Sequence, residues 1–206
     1  IEGIPATDAN GLYGGNASDD NSGNIQYISI RHGGTNIGSG NEINGLSLGG
    51  VGSGTTIENI EIVSNQDDGI EFFGGTVNVT NLVSWNVGDD GVDTDQSYSG
   101  TLDNFVVITP LGHAFELDGA EGSMEATHTL KNGNIYASSA AADTTDDGDP
   151  KRKCKDLFNV DDNTKVSAEN IFFNRVVDGQ KVEVENSSNQ SFTNVLINVP
   201  SADLDD

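Results

Sequence analysis

Three segments of this sequence carry closely spaced carboxylates and could bind a cation. They span residues 66–75, 88–95 and 112–119, and the first two share an Asp-Asp-Gly core. Carboxylates, asparagine amides and turn carbonyls are the hard oxygen ligands that Ca²⁺ takes in proteins. We therefore predict a metal site, with Ca²⁺ as the candidate cofactor. Its predicted ligands are Asp67, Asp68, Glu71, Asp89, Asp90, Asp93, Asp95, Glu116 and Asp118.

The same segments support a second interpretation, in which they cleave a polysaccharide. Paired carboxylates can serve as acid and base in glycoside hydrolysis, and a histidine beside them adds a titratable imidazole. The alternative catalytic residues are Asp68, Asp89, Asp90 and His113. Their spacing resembles that of the pectin-cleaving polygalacturonases, but Ala114 replaces that family's second glycine and its Arg-x-Lys is missing. A polysaccharide-degrading hydrolase or lyase is therefore the alternative to a non-catalytic site.

The spacing of the acidic segments indicates how they could be brought together. Gly69 and Gly91 are 22 residues apart, and Gly91 and Ala114 are 23 apart. A repeat of this length indicates a solenoid whose units stack on one another. Equivalent residues of successive units then form columns along the stack.

Apolar segments alternate with the acidic ones and predict the strands of each coil. Ile25–Ile30 alternates with the period of two typical of strands, and Thr56–Ile62, Val77–Val83 and Leu102–Val107 continue the series. Each coil has two recognisable strands, and 22 residues suffice for three short strands with three turns. We predict an all-β fold, a right-handed parallel β-helix of about seven coils, interrupted near residues 120–160. Residues 1–206 are interpreted as one domain, a segment of a longer chain that lacks its N-terminal coils.

Side-chain alternation predicts which residues of the acidic segments face outward. Ile70 and Phe72 point inward, together with their equivalents in the next coils. Glu71, Asp93 and Glu116 then form an outward column, with successive carboxylates about 4.8 Å apart. Like charges at that distance repel one another or raise a carboxyl pKa. We therefore expect a bound cation, trapped protons or exposure to salt and water to offset the repulsion.

A second column is predicted from asparagines next to the apolar strands. Stacked asparagine side chains can hydrogen-bond along a column and satisfy the backbone groups of turns. We predict this structural role for Asn59, Asn81, Asn104, Asn134, Asn170 and Asn194.

The charge balance argues against several partners. The chain has 206 residues and a formal net charge of −24, from 9 basic and 33 acidic residues. Nucleic acid and a bare anionic membrane surface both favour Lys and Arg, so we predict neither as a partner. Cations or cation-bridged acidic polymers fit better, and solubility in a salty medium is the alternative explanation. No apolar run is long enough to span a membrane.

Cys154 is the single cysteine, which excludes an internal disulfide. It lies in the basic cluster Lys151–Lys155, after a polar loop over residues 137–150. We predict that this cluster is solvated, and a thiol among four cations should have a lowered pKa.

Several short sequence segments resemble segments of secreted or surface-anchored β-helix proteins and lipoproteins of Bacteroidota. The most specific is Asp-Asp-Gly-Ile-Glu-Phe-Phe-Gly-Gly at residues 67–75, and others lie at 1–6, 30–34, 41–46 and 113–119. The resemblance implies a right-handed parallel β-helix outside the outer membrane of a Gram-negative cell. It implies no particular activity.

Together these observations favour an extracellular or cell-surface module with a non-catalytic binding or structural role. Its partner would be Ca²⁺, a glycan or an outer-membrane protein. A third hypothesis is a structural spacer or adhesin shaft without a ligand site.

Overall fold

The computed structural model describes residues 4, 7–38, 41–119, 125–139, 153–186 and 189–199, which form two parallel β-sheets after a short 3₁₀-helix at Ala9–Gly11. The strands of the first sheet are β1 (Asn24–Arg31), β3 (Thr56–Val63), β5 (Asn78–Trp85), β7 (Thr101–Ile108), β9 (Thr127–Tyr136), β11 (Lys165–Asn174) and β13 (Gln190–Ile197). The strands of the second sheet are β2 (Leu46–Gly49), β4 (Ile70–Phe73), β6 (Val92–Asp95), β8 (Phe115–Leu117), β10 (Phe158–Val160) and β12 (Val182–Val184).

Successive strands alternate between the two sheets, so that the chain winds as a solenoid. Every strand pairs in parallel with the strand one coil earlier or later. Parallel crossover connections are right-handed, and the predicted right-handed parallel β-helix of about seven coils is confirmed. The third strand that the coil length could accommodate is not formed within the described ranges, where turns and irregular segments complete each coil.

Inward side chains of both sheets fill the interior. Phe72 and Tyr98 stack with ring centroids 4.2 Å apart, and Phe115 and Phe158 stack at 4.7 Å. Phe105 meets Phe115 edge-on at 5.7 Å. All five rings are fully buried, and burying such a side chain stabilises the fold by about 1.5–3 kcal/mol. This packing holds the strands of the second sheet, and therefore their outward side chains, in fixed columns.

The predicted interruption near residues 120–160 is a set of insertions rather than a break in the sheets. β9 lies inside this range and pairs in register with both β7 and β11. Phe158 pairs with Phe115, 43 positions earlier, whereas the two preceding steps in this sheet are 22 and 23. The extra residues fall between strands in the sequence, and the pairing of the strands continues after them. Most of the polar loop lies outside the described residues.

Cys154 is buried, so the prediction of a lowered thiol pKa is wrong. Burial raises the pKa of this thiol to about 12, because desolvation outweighs the neighbouring positive charge. The Gln180 Nε2 donates to the Cys154 carbonyl oxygen at 2.7 Å and lies 3.1 Å from its sulfur. Lys153 and Lys155 are exposed on either side, and residues 151–152 lie outside the described part.

The asparagine column lies inside the strands of the first sheet, at a bend with positive φ between 53° and 60°. Its members are Asn59, Asn81, Asn104, Asn132, Asn170 and Asn194. The prediction of Asn134 is wrong, because in β9 it is Asn132 that takes the left-handed bend while Asn134 stays in the regular ladder. Asn81 Nδ2 donates to Asn59 Oδ1 at 2.8 Å, and Asn104 Nδ2 donates to Asn81 Oδ1 at 2.6 Å.

Candidate metal centre

The turn before each strand of the second sheet stacks the Asp-Asp-Gly residues of successive coils. Asp68 Oδ1 accepts a hydrogen bond from the backbone N–H of Asp90, at 2.9 Å. Asp90 Oδ1 accepts one from the backbone N–H of His113. Each carboxylate thus ties its own turn to the next one, so that Asp68, Asp90 and His113 form a column along the stack.

The glycine of the motif is required by the close approach of these turns. A Cβ on Gly69 would lie 2.6 Å from the carbonyl oxygen of Gly91, and a Cβ on Gly91 would lie 2.8 Å from that of Ala114. Carbon atoms do not approach backbone oxygens so closely, so a side chain would push the coils apart. The glycines therefore bring the carboxylates of successive turns within reach of one another.

The strand column lies next to the turn column, in the predicted register. Glu71 pairs with Asp93 and Asp93 with Glu116. Ser47 continues the column on one side and Asn159 on the other. The Glu71 side chain is nevertheless buried, with 4% of the residue exposed. Exposure to salt and water therefore cannot offset the repulsion at this position.

Most of the predicted ligands meet in three neighbouring sets, which together we call the carboxylate cluster. In each set the ligand atoms lie within 4.8 Å of one another, and the first two sets share Asp68. The sets are Asp67–Asp68–Asp89, Asp68–Glu71–Asp93 and Asp90–His113–Glu116. Seven of the nine predicted metal ligands, with His113, are thus brought together among the described residues.

Burial changes the acidity of the carboxylate cluster. Desolvation raises the pKa of Asp90 to about 9, and the adjacent carboxyl of Glu116 adds to this rise. Burial also raises the pKa of Asp68 and Asp93 well above the ordinary range, with nearby carboxylates contributing. Asp89 is exposed, yet partial desolvation and Glu116 raise its pKa as well. Near neutral pH the cluster must therefore hold either protons or a cation.

Two buried oxygen atoms at the cluster have no hydrogen-bond partner. They are Oδ1 of Asp93 and Oδ1 of Asn44. Asn44 is 7% exposed, and its Nδ2 donates to the Glu71 carboxylate, so its side chain lies against the Asp68–Glu71–Asp93 set. An unsatisfied buried polar atom costs about 1–3 kcal/mol. A cation coordinated by these oxygens would remove that cost.

Asn44 is the ligand candidate that the sequence patterns did not identify. It occupies the position of Asp68 in the preceding coil, and the backbone N–H of Gly45 donates to the Asp68 carbonyl at 2.9 Å. The repeat alignment contained this signal, because an amide oxygen can replace a carboxylate oxygen as a hard ligand. Lys155 similarly occupies the position of Asp89 and Gly112 in a later coil. Its backbone N–H donates to the Gly112 carbonyl at 2.6 Å.

The other two predicted ligands, Asp95 and Asp118, lie outside the three sets. Burial raises the pKa of Asp118 to about 7, and its Oδ1 is a buried atom without a hydrogen-bond partner. Asp118 lines a cavity of about 10 Å³ together with Tyr98 and His128, which is room for one water molecule. Burial lowers the pKa of His128 to about 4, so this imidazole is neutral near pH 7.

The arrangement of coils agrees with a comparison against known protein families. The model of the pectate-lyase-like β-helix domain matches residues 5–206. The chain belongs to this family. Membership in the pectate-lyase-like family supports a parallel β-helix module, while the Bacteroidota lipoprotein resemblance stays a prediction.

Comparisons beyond this pectate-lyase-like family give no further relatives. No curated protein and no solved structure matches the chain significantly. In the part of the domain that the structure describes, no helix is long and apolar enough to cross a membrane.

Proposed function

We propose that this β-helix is a non-catalytic module that binds acidic polysaccharide through Ca²⁺ held in the carboxylate cluster. The observation that carries the proposal is the Asp68–Glu71–Asp93 set, in which three carboxylates from two coils lie within ligand distance of one another. The burial of Asp68 and Glu71 and the unsatisfied oxygens beside them are the features that a bound cation would complete.

The donor atoms of this set favour Ca²⁺ over other common cations. All three side chains offer carboxylate oxygens, and the orphaned Oδ1 of Asn44 adds an amide oxygen. Ca²⁺ takes six to eight oxygen ligands in flexible geometry, whereas Mg²⁺ demands near-ideal octahedra and keeps most of its waters. A buried carboxylate cluster on stacked coils provides several oxygens on one side and leaves the other side for water or a ligand.

An acidic polysaccharide fits the remaining ligand positions. Its carboxylates would complete the coordination of Ca²⁺, which offsets the repulsion between an anionic polymer and a protein of net charge −24. The exposed Asp89 lies at the solvent side of the cluster. Membership in the pectate-lyase-like family supports a polysaccharide over a protein as the bound partner.

Burial of three of the four alternative catalytic residues favours binding over cleavage. Asp68, Asp90 and His113 are between 2% and 7% exposed. The two carboxylates also accept backbone hydrogen bonds that tie the coils together. Side chains in such positions hold the turns together, and they are poorly placed to touch a glycosidic bond.

The decisive measurement is thermal unfolding of the purified chain in EDTA and in a Ca²⁺ series at fixed ionic strength. Saturation at about 100 times the dissociation constant should raise the midpoint by about 5–10 °C. Mg²⁺ should have little effect, and Asp93→Asn should abolish the Ca²⁺ response. Asp178→Asn, the same change at an exposed residue, is the matched control and should respond like the wild type. A wild-type midpoint that does not move with Ca²⁺ would overturn the proposal.

Polysaccharide binding is tested separately by retention on polygalacturonate with Ca²⁺ and by release with EDTA. Retention that is insensitive to EDTA would remove the ion from the binding step. No retention in either condition would leave the spacer hypothesis.

Cleavage remains the second candidate because of Asp89. This carboxyl is exposed and its pKa is raised, which suits a proton donor, and the Lys155 ammonium lies near enough to counter part of the rise. Release of reducing ends from acidic polysaccharides, lost in Asp89→Asn with the fold intact, would establish an enzyme. No release from the wild type would exclude the activity for those substrates.

The extracellular location and an outer-membrane protein partner stay predictions. Digestion of intact cells by an added protease would test the location, since a surface module is cut and an internal one is protected.

A further inference from the structure

The Asp90–His113–Glu116 set differs chemically from the rest of the carboxylate cluster because it contains a nitrogen donor. His113 Nδ1 lies 3.0 Å from Asp90 Oδ1 and 3.4 Å from Glu116 Oε1. The other two sets offer carboxylate oxygens alone. Hard cations prefer oxygen, whereas imidazole suits Zn²⁺ and its first-row neighbours.

The imidazole of His113 is buried with its Nδ1 facing two carboxylates. The residue is 5% exposed, and its Nδ1 is a buried atom with no hydrogen-bond partner, although two carboxylate oxygens lie close by. Buried polar atoms are nearly always hydrogen-bonded, so each exception calls for an explanation. This orphaned nitrogen is an observation independent of the clustering of acidic residues.

The separations within the set match those between the ligands of one small ion. Nitrogen and carboxylate oxygen ligands lie about 2.0–2.2 Å from Zn²⁺ in a tetrahedral site, which places the ligand atoms roughly 3.3 Å from one another. The two distances from His113 Nδ1 are 3.0 and 3.4 Å. An ion between the three side chains would need little movement of any of them.

The fold positions the three ligands from two successive coils. Asp90 Oδ1 accepts the backbone N–H of His113, and the His113 carbonyl accepts the N–H of Gly91 at 2.9 Å. Glu116 lies on β8, in register with Asp93 of β6 and Asn159 of β10. The backbone of the site is therefore held by the sheet whether or not an ion is bound.

We propose that Asp90, His113 and Glu116 form a second metal site, which binds one first-row transition-metal ion such as Zn²⁺. Three protein ligands leave a further position open, and the Glu116 side chain, 31% exposed, marks its solvent side. The nearby carboxylates of Asp89 and Glu183 add negative charge around it, countered by the Lys155 ammonium. This inference goes beyond the proposed function, since it concerns another ion and other ligands.

The test is titration of the EDTA-treated, dialysed protein with Zn²⁺ by calorimetry. We expect a wild-type site that His113→Gln weakens by at least about tenfold, the lower range for disturbing a metal site. His32→Gln, the same change at an exposed histidine, should leave binding unchanged. Co²⁺ should give visible d–d absorption bands with the wild type and with His32→Gln, but not with His113→Gln.

Several outcomes would overturn the inference. One is a folded His113→Gln that binds Zn²⁺ as tightly as the wild type, which would mean that carboxylates alone attract the ion. Another is a wild type that binds no Zn²⁺, which would mean that protons alone occupy the set. If His113→Gln does not fold, Glu116→Gln at the solvent side replaces it, with the same expected loss of Zn²⁺ affinity and of the Co²⁺ bands.

The two metal proposals can fail independently. Asp93→Asn should abolish the Ca²⁺ response and retain Zn²⁺ binding, whereas His113→Gln should do the reverse. A wild-type protein that binds Zn²⁺ but not Ca²⁺ would contradict the proposed function without affecting the inference of the second metal site. Equal loss of Zn²⁺ in both variants would instead indicate one shared site and overturn the present inference.

Discussion

The asparagine column of the first sheet and the carboxylate cluster of the second show opposite consequences of the same repeat. In the asparagine column, Asn104 donates to Asn81 and Asn81 donates to Asn59, so each amide satisfies the next. In the strand column of the cluster, Glu71, Asp93 and Glu116 stack at the same coil spacing. Ionised carboxylates only accept hydrogen bonds, so they cannot satisfy one another.

The comparison shows that stacking one residue type along the coils can stabilise the fold or create electrostatic repulsion, depending on which residue is repeated. An amide has a donor and an acceptor and extends along the stack without charge. A buried carboxylate repeats a charge that must be neutralised. The asparagine column therefore needs no ligand, whereas the cluster needs protons or a cation.

The largest expected effect is a loss of stability of the metal-free protein as the pH rises. The pKa of Asp90 is about 9 in the fold and about 3.9 when unfolded, so the folded state binds more protons between these values. Its contribution is fully present below about pH 4 and is lost as the pH rises through 9, by about 1.4 kcal/mol per unit. The titratable groups that face this carboxyl are Asp68, Asp89, Glu116 and His113. The measurement is urea unfolding in EDTA at pH 5, 7 and 9.

Asp90→Asn should flatten this pH dependence, because an amide does not titrate. The control is Asp103→Asn on the outer face of the first sheet, where the carboxylate pairs with Lys131 at 3.3 Å, and it should keep the wild-type slope. An Asp90→Asn variant with an unchanged slope would contradict the assignment of the titration to the cluster.

The second prediction breaks the asparagine column. Asn81→Val should lower the free energy of unfolding by about 3 kcal/mol, from two lost hydrogen bonds of about 1 kcal/mol each and the strain of a β-branched residue at φ 60°. Asn81→Gly removes the same hydrogen bonds without that strain and should cost less. Equal losses in the two variants, measured by urea unfolding, would show that conformation plays no part.

The third prediction replaces one carboxylate of the cluster with an amide, the group that forms the asparagine column. Asp93→Asn replaces a carboxyl that the fold must keep protonated with a neutral amide, so in EDTA at pH 8 it should raise the free energy of unfolding by about 1 kcal/mol. This change in the free energy of unfolding is opposite in sign to the change expected for Asn81→Val. Urea unfolding in EDTA checks it, with Asp178→Asn as the control that should change little. Destabilisation in EDTA would mean that the Asp93 carboxylate makes favourable contacts of its own.

The smallest expected effect comes from a charge at the surface. Arg31 pairs with Glu61 at 2.6 Å on the outer face of the first sheet, and their side chains are 55% and 34% exposed. Water and salt screen such pairs, so Arg31→Ala should leave the free energy of unfolding unchanged within error. A clear loss in urea unfolding would show that surface charges matter here as much as buried ones.

Much of the fold could be predicted because the same residue types recur at a regular interval along the sequence. The interval from Gly69 to Gly91 indicated the coil length, and alternation across Glu71 and Phe72 indicated the outward column. The insertions obscured β9, since its asparagines at 132 and 134 offer two candidates for one bend. The sequence cannot distinguish them, because the choice depends on the pairing of β9 with β7 and β11.

The sequence by itself determined the coil period, the strand register and the stacking of acidic residues, because these follow from spacing along one chain. Tertiary structure alone decided which of those residues are buried, because burial depends on segments far apart in sequence. Asn44 from the preceding coil lies against Glu71, and the interior encloses Cys154. The same packing left His113 Nδ1 and Asp93 Oδ1 without partners, since hydrogen-bond satisfaction is a property of three-dimensional neighbours.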